Sequence, residues 1–295
     1  MPELPEVETI RKGLVAKIKG KTISDFESRD SKVVQLKPED VIGAKILNVD
    51  RIAKMLLFKL DSKKSILIHM KMTGQLIWEK CAGEKEFCLR NRTAGGHPSK
   101  DWHEKMPGKY TRAIFHFDDE SVLYFNDLRR FGYVRSYSTE ELKNLKTKEL
   151  ANIGIDPFSS EFSVEYLKNR AKKIPNRPIK LFLMDQSIIA GIGNIYADES
   201  LFCAGIIPTR KVKDIKDAEW KKIISGIIKS LKLGLKYGGS SADTYVKADG
   251  TPGEAHKHLK VYRKTGENCP KKCGGKIKRI TLGGRGTHFC PACQR

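Results

Sequence analysis

Four cysteines near the end of the chain limit its fold more than any other feature. Cys269 and Cys273 form one close pair, Cys290 and Cys293 form a second, and sixteen residues lie between the pairs. This arrangement is typical of a tetrahedral zinc site in which a short hairpin joins two pairs of thiolates. Four protein ligands leave no open coordination position, so the pattern predicts one structural Zn²⁺. A segment this small buries too little apolar surface to fold without the metal.

The segment around these cysteines is strongly basic. Between His256 and Arg295 there are eleven lysines and arginines but a single acid, Glu267. The whole chain has a formal net charge of +21, and this segment supplies nearly half of it. Such clustering favours a polyanionic partner, and we expect that partner to be nucleic acid. The zinc site would hold four of these cations on a rigid hairpin: Lys276, Lys278, Arg279 and Arg285.

Length and composition narrow the class of protein further. A chain of 295 residues suits two or three domains, and a hydrophobic content of 39% is enough for packed cores. No run approaches the roughly 18 apolar residues of a membrane span, and MPELPEVE at the N-terminus lacks the features of a secretory signal. We therefore expect a cytoplasmic, nucleoid-associated protein with no membrane partner, whose seven cysteines are reduced.

The first half of the chain predicts one helix and many strands. Pro5–Lys19 has a single apolar stripe, which predicts a helix that stops at Gly20. Thr22–Tyr137 is rich in β-branched and aromatic residues, which predicts a mostly antiparallel β domain with that helix packed on it. Glu79–Lys109 forms a polar insert within this domain. The candidate strand segments are Ile46–Leu60, Ser65–Trp78, Thr111–Phe117 and Val122–Tyr137.

The second half predicts helices. Val164–Lys173 suits one short helix, and Ile179–Ile206 suits two helices joined by a glycine-dependent turn. Asp217–Lys236 carries a clear apolar face and predicts a long amphipathic helix. Gly238–His256 is rich in glycine, serine and aspartate, so it is either a linker or a mobile functional loop.

The first residues offer a distinctive nucleophile. Met1 precedes a small residue, so its removal would leave Pro2 with a free secondary amine. A terminal amine has a pKa of about 7.8, against about 10.4 for lysine, so far more of it is neutral at pH 7. Attack of this amine on a sugar C1′ would give an iminium that acidifies the C2′ proton and promotes β-elimination. Glu3, with Glu6 nearby, could donate the proton that the sugar ring oxygen needs.

Six blocks of this sequence resemble formamidopyrimidine-DNA glycosylase, the bacterial family that excises oxidised guanine. The blocks run in the family's order from the first residues to the last. They are PELPEVET (Pro2–Thr9), RIAKMLLF (Arg51–Phe58), HMKMTGQL (His69–Leu76), DLRRFG (Asp127–Gly132), LMDQSIIAGIGNIYADESLF (Leu183–Phe202) and GRGTHFCPACQR (Gly284–Arg295).

The resemblance implies an α+β multi-domain fold and a DNA-repair activity. It implies a β-sandwich flanked by helices in residues 1–139, a helix–two-turn–helix domain with a lesion-capping loop in 140–256, and a zinc-ribbon hairpin in 257–295. The implied activity is that of a bifunctional glycosylase and AP lyase of base excision repair. Such an enzyme would act as a monomer on double-stranded DNA that contains oxidised bases or abasic sites.

The resemblance also implies roles for single residues. Pro2 would be the Schiff-base nucleophile and Glu3 the general acid. Lys54 would contact the phosphate beside the lesion and assist β-elimination, and Arg285 would bind phosphate and assist δ-elimination. Three residues would fill the gap left by the extruded base: Met72, Phe131 and Arg129, which would face the orphaned cytosine. The other implied DNA-binding residues are Glu6, Tyr110, Asn176, Lys180 and Asn194.

Three features depart from the family pattern. The first cysteine pair is C-x3-C where C-x2-C is usual, and Tyr110 lies in a Lys-Tyr-Thr-Arg stretch where Lys-His-Asp-His is common. The Glu79–Lys109 insert is longer than the usual loop. This insert contains four residues that could form a second metal site, although their spacing matches no common pattern: Cys81, Cys88, His97 and His103.

Two other functions remain open on the sequence. An endonuclease VIII-like glycosylase would act on oxidised pyrimidines, but that branch typically begins PEGPEI, whereas this chain has Leu4 and Val7. The endonuclease VIII branch also lacks the Arg-Arg-Phe sequence that this chain has at 129–131. A DNA-binding protein without catalysis would use the same basic C-terminal segment.

Overall fold

The computed structural model describes residues 1–80, 93–96, 106–143, 149–241, 245, 247 and 251–295. These residues divide into two units. The first unit contains Met1–Ala151 and Tyr237–His256, and the second contains Asn152–Lys236 and Lys257–Arg295. The predicted domain boundaries after residues 139 and 256 stay predictions. The candidate second metal site in the insert lies outside the described residues.

Helix α1 (Leu4–Ile18) begins the first unit, and it confirms the helix predicted from the apolar stripe. Glu3 precedes the helix and forms a capping box with Glu6, whose Oε2 accepts a 2.9 Å hydrogen bond from the Glu3 backbone N–H. The apolar stripe is buried, and the chain turns away at Gly20, whose φ is +84°. The start of the chain is therefore fixed by the local hydrogen bonds of a helix cap.

Ten strands form two sheets in the described part of the first unit. They are β1 (Ile23–Ser28), β2 (Val34–Gln35), β3 (Ile46–Ile52), β4 (Met55–Leu60), β5 (Lys64–His69), β6 (Gly74–Lys80), β7 (Thr93–Gly96), β8 (Thr111–Phe117), β9 (Ser121–Asp127) and β10 (Tyr133–Ser138). One sheet has the order β1-β8-β9-β6-β7 and the other the order β2-β10-β5-β4-β3. Neighbouring strands are antiparallel except β2 and β10. A short helix, α2 (Thr139–Lys143), follows β10.

One apolar core joins both sheets and α1. Phe58 of β4, Phe115 of β8 and Phe125 of β9 are each at most 1% exposed within it. Burial of this many apolar side chains is the main stabilising contribution to the unit. The predicted β-sandwich with α1 packed against it is confirmed.

Three of the four predicted strand segments each contain two strands with a turn between them. The segment Ile46–Leu60 turns at Ala53, whose φ is +53°, and the other two turn at Lys71 and Arg130, with φ of +49° and +57°. Non-glycine residues rarely adopt this left-handed conformation, so the sequence does not mark these three positions as turn residues. Each turn lies beside a predicted site residue: Lys54, Met72 and Arg129 respectively. Backbone strain of this kind is concentrated at functional sites.

Four helices lie before the hairpin in the second unit. They are α3 (Val164–Ala171), α4 (Ile179–Leu183), α5 (Asn194–Ala204) and α6 (Asp217–Lys236), and they confirm the predicted helical segments. The connection between α4 and α5 is held by Gln186, whose Nε2 donates to Ile192 O at 2.6 Å. The Gln186 Oε1 accepts from Gly191 N–H at 2.9 Å. Gly191 has a φ of +91°, which explains the glycine dependence of this turn.

Helices α5 and α6 approach closely because α6 carries glycines on the facing side. A Cβ at Gly226 would lie 2.4 Å from the Ser200 carbonyl oxygen, and one at Gly234 would lie 2.4 Å from the Tyr196 hydroxyl. Both distances are far below van der Waals contact, so no larger residue fits at either position. This close packing fixes α5, which begins at the predicted site residue Asn194.

The second unit ends in the predicted hairpin. A short helix, α7 (Ala255–His258), precedes it, and strands β11 (Lys278–Leu282) and β12 (Arg285–Phe289) pair antiparallel with Ile280 opposite Thr287. Gly283 and Gly284 form the turn with φ of +56° and +72°. Of the described helices, none has the length and apolar character that a bilayer crossing demands.

Candidate functional site

The N-terminal end of α1 brings three predicted site residues together. Pro2 is buried and directly precedes the capping residue Glu3, which is 4% exposed. Glu6 is 2% exposed, and its Oε2 accepts from the Glu3 N–H. Met1 is 41% exposed. Removal of Met1 would therefore leave a secondary amine at Pro2, directly before the buried Glu3 and four residues before the buried Glu6.

Glu6 also anchors the segment that follows α6. Its Oε1 accepts a 2.8 Å hydrogen bond from Ser240 N–H, and its backbone carbonyl accepts one of 3.3 Å from the Tyr245 hydroxyl. Gly239, with a φ of +84°, leaves room for this contact, because a Cβ there would lie 2.9 Å from Glu6 Cγ. Sequence reasoning gave Glu6 only a supporting role. It did not identify Ser240 or Tyr245, which have no local sequence signal for this contact.

Lys54 lies in the turn between β3 and β4 and is only 5% exposed. Its ammonium group acts electrostatically on His69, which ends β5. Burial, with the positive charges of Lys71 and Lys54, lowers the pKa of His69 to about 3. His69 is therefore neutral at physiological pH, and its Nδ1 accepts a 3.0 Å hydrogen bond from Lys71 N–H.

Met72, Arg129 and Phe131 lie on two neighbouring loops that Asp127 holds together. Asp127 is fully buried at the end of β9, and its Oδ1 accepts from the Thr73 hydroxyl at 2.5 Å and from Arg129 N–H at 3.2 Å. Its Oδ2 accepts from the N–H of the residue after Phe131 at 2.7 Å. One carboxylate thus fixes both loops.

The side chains on these loops are exposed although two of them are large and apolar. Met72 is 39% exposed and Phe131 is 54% exposed, while the Arg129 guanidinium lies 4.6 Å from the Phe131 ring centroid. An exposed apolar pair beside a cation has the composition of a wedge that fills a gap in a base stack. The family resemblance grouped these residues by an implied role, which stays a prediction, but it did not identify Asp127 or Thr73 as their common support.

Tyr110 lies at the same end of the β8–β9 pair. Its backbone carbonyl accepts a 2.9 Å hydrogen bond from Asp127 N–H, and the Lys109 ammonium lies 6.0 Å from its ring centroid. The half-buried Tyr110 side chain is therefore near the loops that carry Arg129 and Phe131. Its direct contact with DNA stays a prediction.

In the second unit, Asn194 and the zinc hairpin meet at one carbonyl group. Asn194 is the first residue of α5, and its Nδ2 donates a 3.0 Å hydrogen bond to Gly286 O. Gly286 directly follows Arg285, the exposed first residue of β12. Helix N-termini favour phosphate through their backbone N–H groups and dipole. Asn194 and Arg285 are thus placed together at a position suited to binding phosphate.

The position of Lys180 does not favour its predicted contact with DNA. Lys180 is 0% exposed, and its ammonium lies 2.8 Å from Asp198 Oδ1. The same ammonium donates to Gly286 O at 3.0 Å and to Thr287 Oγ1 at 2.8 Å. With two hydrogen bonds to β12 and an ion pair to α5, Lys180 supports the hairpin from inside the unit. Asn176, by contrast, is exposed in the turn before α4.

The four C-terminal cysteines have the geometry of a zinc site. Their Sγ atoms all lie within 4.8 Å of one another. The distance is 3.7 Å between Cys269 and Cys293 and 3.5 Å between Cys273 and Cys290. Zn–S bonds of about 2.3 Å in a tetrahedron require sulfur atoms about 3.8 Å apart, so the arrangement fits one Zn²⁺.

The C-x3-C pair closes without disturbing this geometry. Lys272 and Gly274 adopt left-handed conformations, with φ of +53° and +76°, and take up the additional residue. Gly275 must be glycine, because a Cβ there would lie 2.9 Å from the Cys290 sulfur. The departure from the usual C-x2-C spacing therefore does not alter the ligand set.

A second buried carboxylate holds the segment before the zinc site. Glu199 of α5 is 6% exposed, and its carboxylate accepts hydrogen bonds from the backbone N–H groups of Lys260, Val261 and Tyr262 at 2.8–3.0 Å. Burial raises the pKa of Glu199, and the three backbone donors oppose that rise. Sequence reasoning missed Glu199, since a carboxylate in a helix more often faces solvent.

Family profiles match all three parts of the chain. The formamidopyrimidine-DNA glycosylase N-terminal domain matches residues 1–134, and the formamidopyrimidine-DNA glycosylase H2TH domain matches residues 153–246. The zinc finger found in FPG and IleRS matches residues 266–295. The chain belongs to the formamidopyrimidine-DNA glycosylase family. The predicted fold class and the structural zinc of the C-terminal finger are both confirmed.

Relatives in this family match the chain along its full length. The formamidopyrimidine-DNA glycosylase of an Exiguobacterium species is 35% identical over 300 residues and covers 100% of both chains. That of Carboxydothermus hydrogenoformans is 37% identical over 300 residues, again with 100% of both chains covered.

Solved structures of the Lactococcus lactis formamidopyrimidine-DNA glycosylase share the fold. A mutant in complex with DNA that contains Fapy-dG has a TM-score of 0.83 at 30% identity, with 100% of both chains covered. A complex with abasic-site DNA has a TM-score of 0.82 at 29% identity and covers 99% of both chains. A complex of the wild-type protein with DNA that contains an oxidised pyrimidine has a TM-score of 0.82 at 30% identity and covers 100% of both chains.

Proposed function

We propose that this chain is a bifunctional DNA glycosylase and AP lyase of base excision repair. Its substrates would be oxidised purines in double-stranded DNA, chiefly 8-oxoguanine and formamidopyrimidines opposite cytosine. Membership of the formamidopyrimidine-DNA glycosylase family supports the glycosylase activity. One observation carries the mechanism: Pro2 is buried at the start of α1 beside the capping residues Glu3 and Glu6. We expect the enzyme to act as a monomer on chromosomal DNA in the nucleoid.

The proposed reaction begins at the Pro2 nitrogen once Met1 is removed. The nitrogen attacks the sugar C1′, the bond from C1′ to the damaged base breaks, and the departing base takes up the proton that the amine loses; the cationic iminium forms when the bond from C1′ to the ring oxygen also breaks. Glu3 protonates the sugar ring oxygen as the ring opens. The iminium then allows loss of the C2′ proton with cleavage of the C3′–O bond, which is β-elimination. Loss of the C4′ proton with cleavage of the C5′–O bond follows, which is δ-elimination.

The base must leave the helix before this attack, because C1′ is not accessible within a stack. Extrusion costs a few kcal/mol, and side chains that fill the resulting gap offset this cost. We assign this role to Met72 and Phe131, with Arg129 as hydrogen-bond donor to the orphaned cytosine. Their exposure, and their common support by Asp127, favour this assignment.

The second unit would bind the phosphates around the lesion. We assign this task to Asn194 at the start of α5 and to Arg285 on the hairpin, and Arg285 would also assist δ-elimination; the hydrogen bond from Asn194 to Gly286, next to Arg285, supports the assignment. Lys54 would assist β-elimination in the first unit. The zinc ion supplies no chemistry in this scheme, because four thiolates fill its coordination shell. Its ligands hold the hairpin that carries Arg285.

Borohydride trapping tests the proposal directly. Borohydride reduces the iminium to a stable amine, so wild-type protein incubated with an 8-oxoguanine duplex should become covalently joined to the DNA. Pro2→Gly removes the secondary amine and should reduce adduct formation strongly. The matched control is Pro38→Gly, a surface proline in the first unit far along the chain from the N-terminus. Tight binding of the duplex by wild-type protein that forms no adduct would favour the non-catalytic DNA-binding function.

Oxidised pyrimidines are the second candidate substrate class. The Lactococcus lactis relative has been solved with DNA that contains an oxidised pyrimidine, which is a reason to test them. The experiment compares the excision rates of 8-oxoguanine, formamidopyrimidine and thymine glycol in duplexes at the same enzyme concentration. We expect the two purine lesions to be excised faster. A higher kcat/KM for thymine glycol would reverse this ranking.

A further inference from the structure

The two ends of strand β12 are held by different means. Cys290 directly follows the strand, so zinc fixes that end. Arg285 begins the strand, five residues before Cys290, which corresponds to roughly 17 Å of extended chain. A two-stranded hairpin is marginally stable by itself, so contacts outside the hairpin must fix the end that carries Arg285.

Those contacts come from α4 and α5 and involve three successive residues of β12. Gly286 O accepts hydrogen bonds from Lys180 Nζ and Asn194 Nδ2, both at 3.0 Å. Thr287 Oγ1 accepts from Lys180 Nζ at 2.8 Å. His288 N–H donates to Asp198 Oδ2 at 2.8 Å.

Asp198 is the centre of this network. It is 0% exposed, and its two carboxylate oxygens have different partners. Oδ1 lies 2.8 Å from Lys180 Nζ, and Oδ2 accepts from His288 N–H and lies 3.1 Å from His288 Nδ1. The Tyr262 ring packs edge-on against the His288 ring at 5.0 Å between centroids. Without the carboxylate, Lys180 would lose the charge that orients its ammonium toward Gly286 and Thr287.

We propose that Asp198 is a positioning residue for δ-elimination, because it orients Lys180 and the β12 backbone and so places Arg285 beside Asn194. This inference rests on the proposed function. The exposed Arg285 side chain has no carboxylate within ion-pair distance in the part of the chain that the structure describes. Its position therefore depends on the backbone that Asp198 and Lys180 hold. A displacement of about 1 Å at such a residue can reduce a rate a hundredfold.

The experiment follows the two elimination steps on a preformed abasic-site duplex under single-turnover conditions. Asp198→Asn should lower the rate of δ-elimination by about tenfold or more relative to β-elimination. Borohydride trapping at Pro2 should stay near the wild-type rate, and bound zinc should stay at one per chain. Thr287→Val removes one acceptor of Lys180 at nearly constant volume and should shift the product ratio in the same direction, but less.

Two further variants test whether Asp198→Asn acts through the position of Arg285 or through the stability of the second unit. Glu219→Gln removes a carboxylate of α6 that pairs with Arg210 and not with β12, so the product ratio should not change. Asp198→Asn should also have no further effect on the ratio in an Arg285→Gln background, since both changes act on the same group.

Two results would overturn the inference. The first is a wild-type product ratio in folded Asp198→Asn, or in Thr287→Val if Asp198→Asn does not fold. The second is full additivity of Asp198→Asn with Arg285→Gln. Absence of any borohydride adduct with the wild-type protein is a different failure, because it would overturn the proposed function and this inference together.

Discussion

The two units hold their site residues in place by different physical means. In the first unit, Pro2, Glu3 and the loops around Asp127 are attached to a sandwich whose apolar core joins two sheets and α1. In the second unit, Arg285 lies on a two-stranded hairpin that is held by four cysteines and by the buried pair of Lys180 and Asp198. The apolar cluster beside those cysteines contains only a few side chains.

This difference determines which conditions and substitutions disrupt the structure of each unit. Burial of apolar surface is not directional and depends weakly on metal and pH. A metal site or a buried ion pair depends on one or two groups, and loss of one partner leaves an uncompensated charge. The nucleophile should therefore tolerate conditions that displace the residues for phosphate binding and δ-elimination. The following predictions test that contrast, from the largest expected effect to the smallest.

A blocked N-terminus should abolish the chemistry and leave DNA binding intact. Protein that retains Met1, or that is acetylated on Pro2, has no free secondary amine, so incision should fall on the order of a thousandfold or more. Affinity for a duplex with a non-cleavable lesion analogue should stay within about threefold, since most of the affinity comes from phosphate contacts. The measurement is single-turnover incision alongside a binding titration. Undiminished incision by blocked protein would refute the role of Pro2.

Loss of zinc should lower DNA affinity and leave the apolar core of the first unit intact. Cys290→Ser, or chelation of the wild-type protein, should unfold the hairpin and lower DNA affinity at least about tenfold, because its cations are no longer held together. The near-ultraviolet spectrum of the aromatic core around Phe58 and Phe115 should not change. Cys203→Ser is the matched control, since Cys203 is exposed and is not a ligand. Full affinity in the zinc-free protein would show that the hairpin does not depend on the metal.

Asp127→Asn should lower the stability of the first unit, because Asp127 joins the loop that carries Met72 to the loop that carries Arg129 and Phe131. The NH₂ group of asparagine would replace a carboxylate oxygen that accepts hydrogen bonds from backbone N–H groups. The lost hydrogen bonds should lower the free energy of unfolding by about 2 kcal/mol. Preference for a lesion duplex over undamaged DNA should fall as Met72 and Phe131 lose their common support. Asp118→Asn, at the exposed turn between β8 and β9, provides the control and should change neither property. The measurements are urea denaturation and competitive binding.

His69 should make the first unit less stable in acid. Its pKa is about 3 in the folded protein and about 6.5 when unfolded, so the unfolded chain binds more protons between these values. Its contribution to stability is therefore present above pH 6.5 and is lost as the pH falls toward 3. Between pH 7 and 5.5 the loss is about 1 kcal/mol, and His69→Asn should remove it. A His69 proton resonance that titrates near pH 6.5 in the native protein would contradict this.

The salt dependence of DNA affinity should distinguish the exposed Arg285 from the buried Lys54. Arg285→Gln should reduce the slope of log K against log salt by about one unit, as expected for one lost phosphate contact. Lys54 is 5% exposed, so Lys54→Gln should change the slope less. Lys37→Gln, at an exposed lysine paired with Glu39, is the control. Equal slopes for Arg285→Gln and wild type would place the phosphate contact elsewhere.

The sequence indicated candidates for the chemistry more readily than the residues that hold those candidates in place. Pro2, Glu3 and the four cysteines are recognisable because their type and spacing are tied to a reaction or a ligand. Asp127 and Asp198 are not, although both lie inside blocks that resemble the family. A buried aspartate and a surface aspartate look the same in a sequence, since only its partners distinguish them. For the same reason Lys180 looked like a DNA contact and is instead a buried support of the hairpin.

The sequence by itself determined the helix α1, the strand segments, the amphipathic α6 and the zinc ligands, because each depends on a local period or spacing. It also determined the family, because six blocks occur in order along one chain. Only the tertiary structure decided that Ala53, Lys71 and Arg130 turn the chain beside the site residues, and that single carboxylates fix whole loops and strands. The physical reason is that burial and hydrogen-bond partners come from residues far apart in the chain, and no local pattern encodes them.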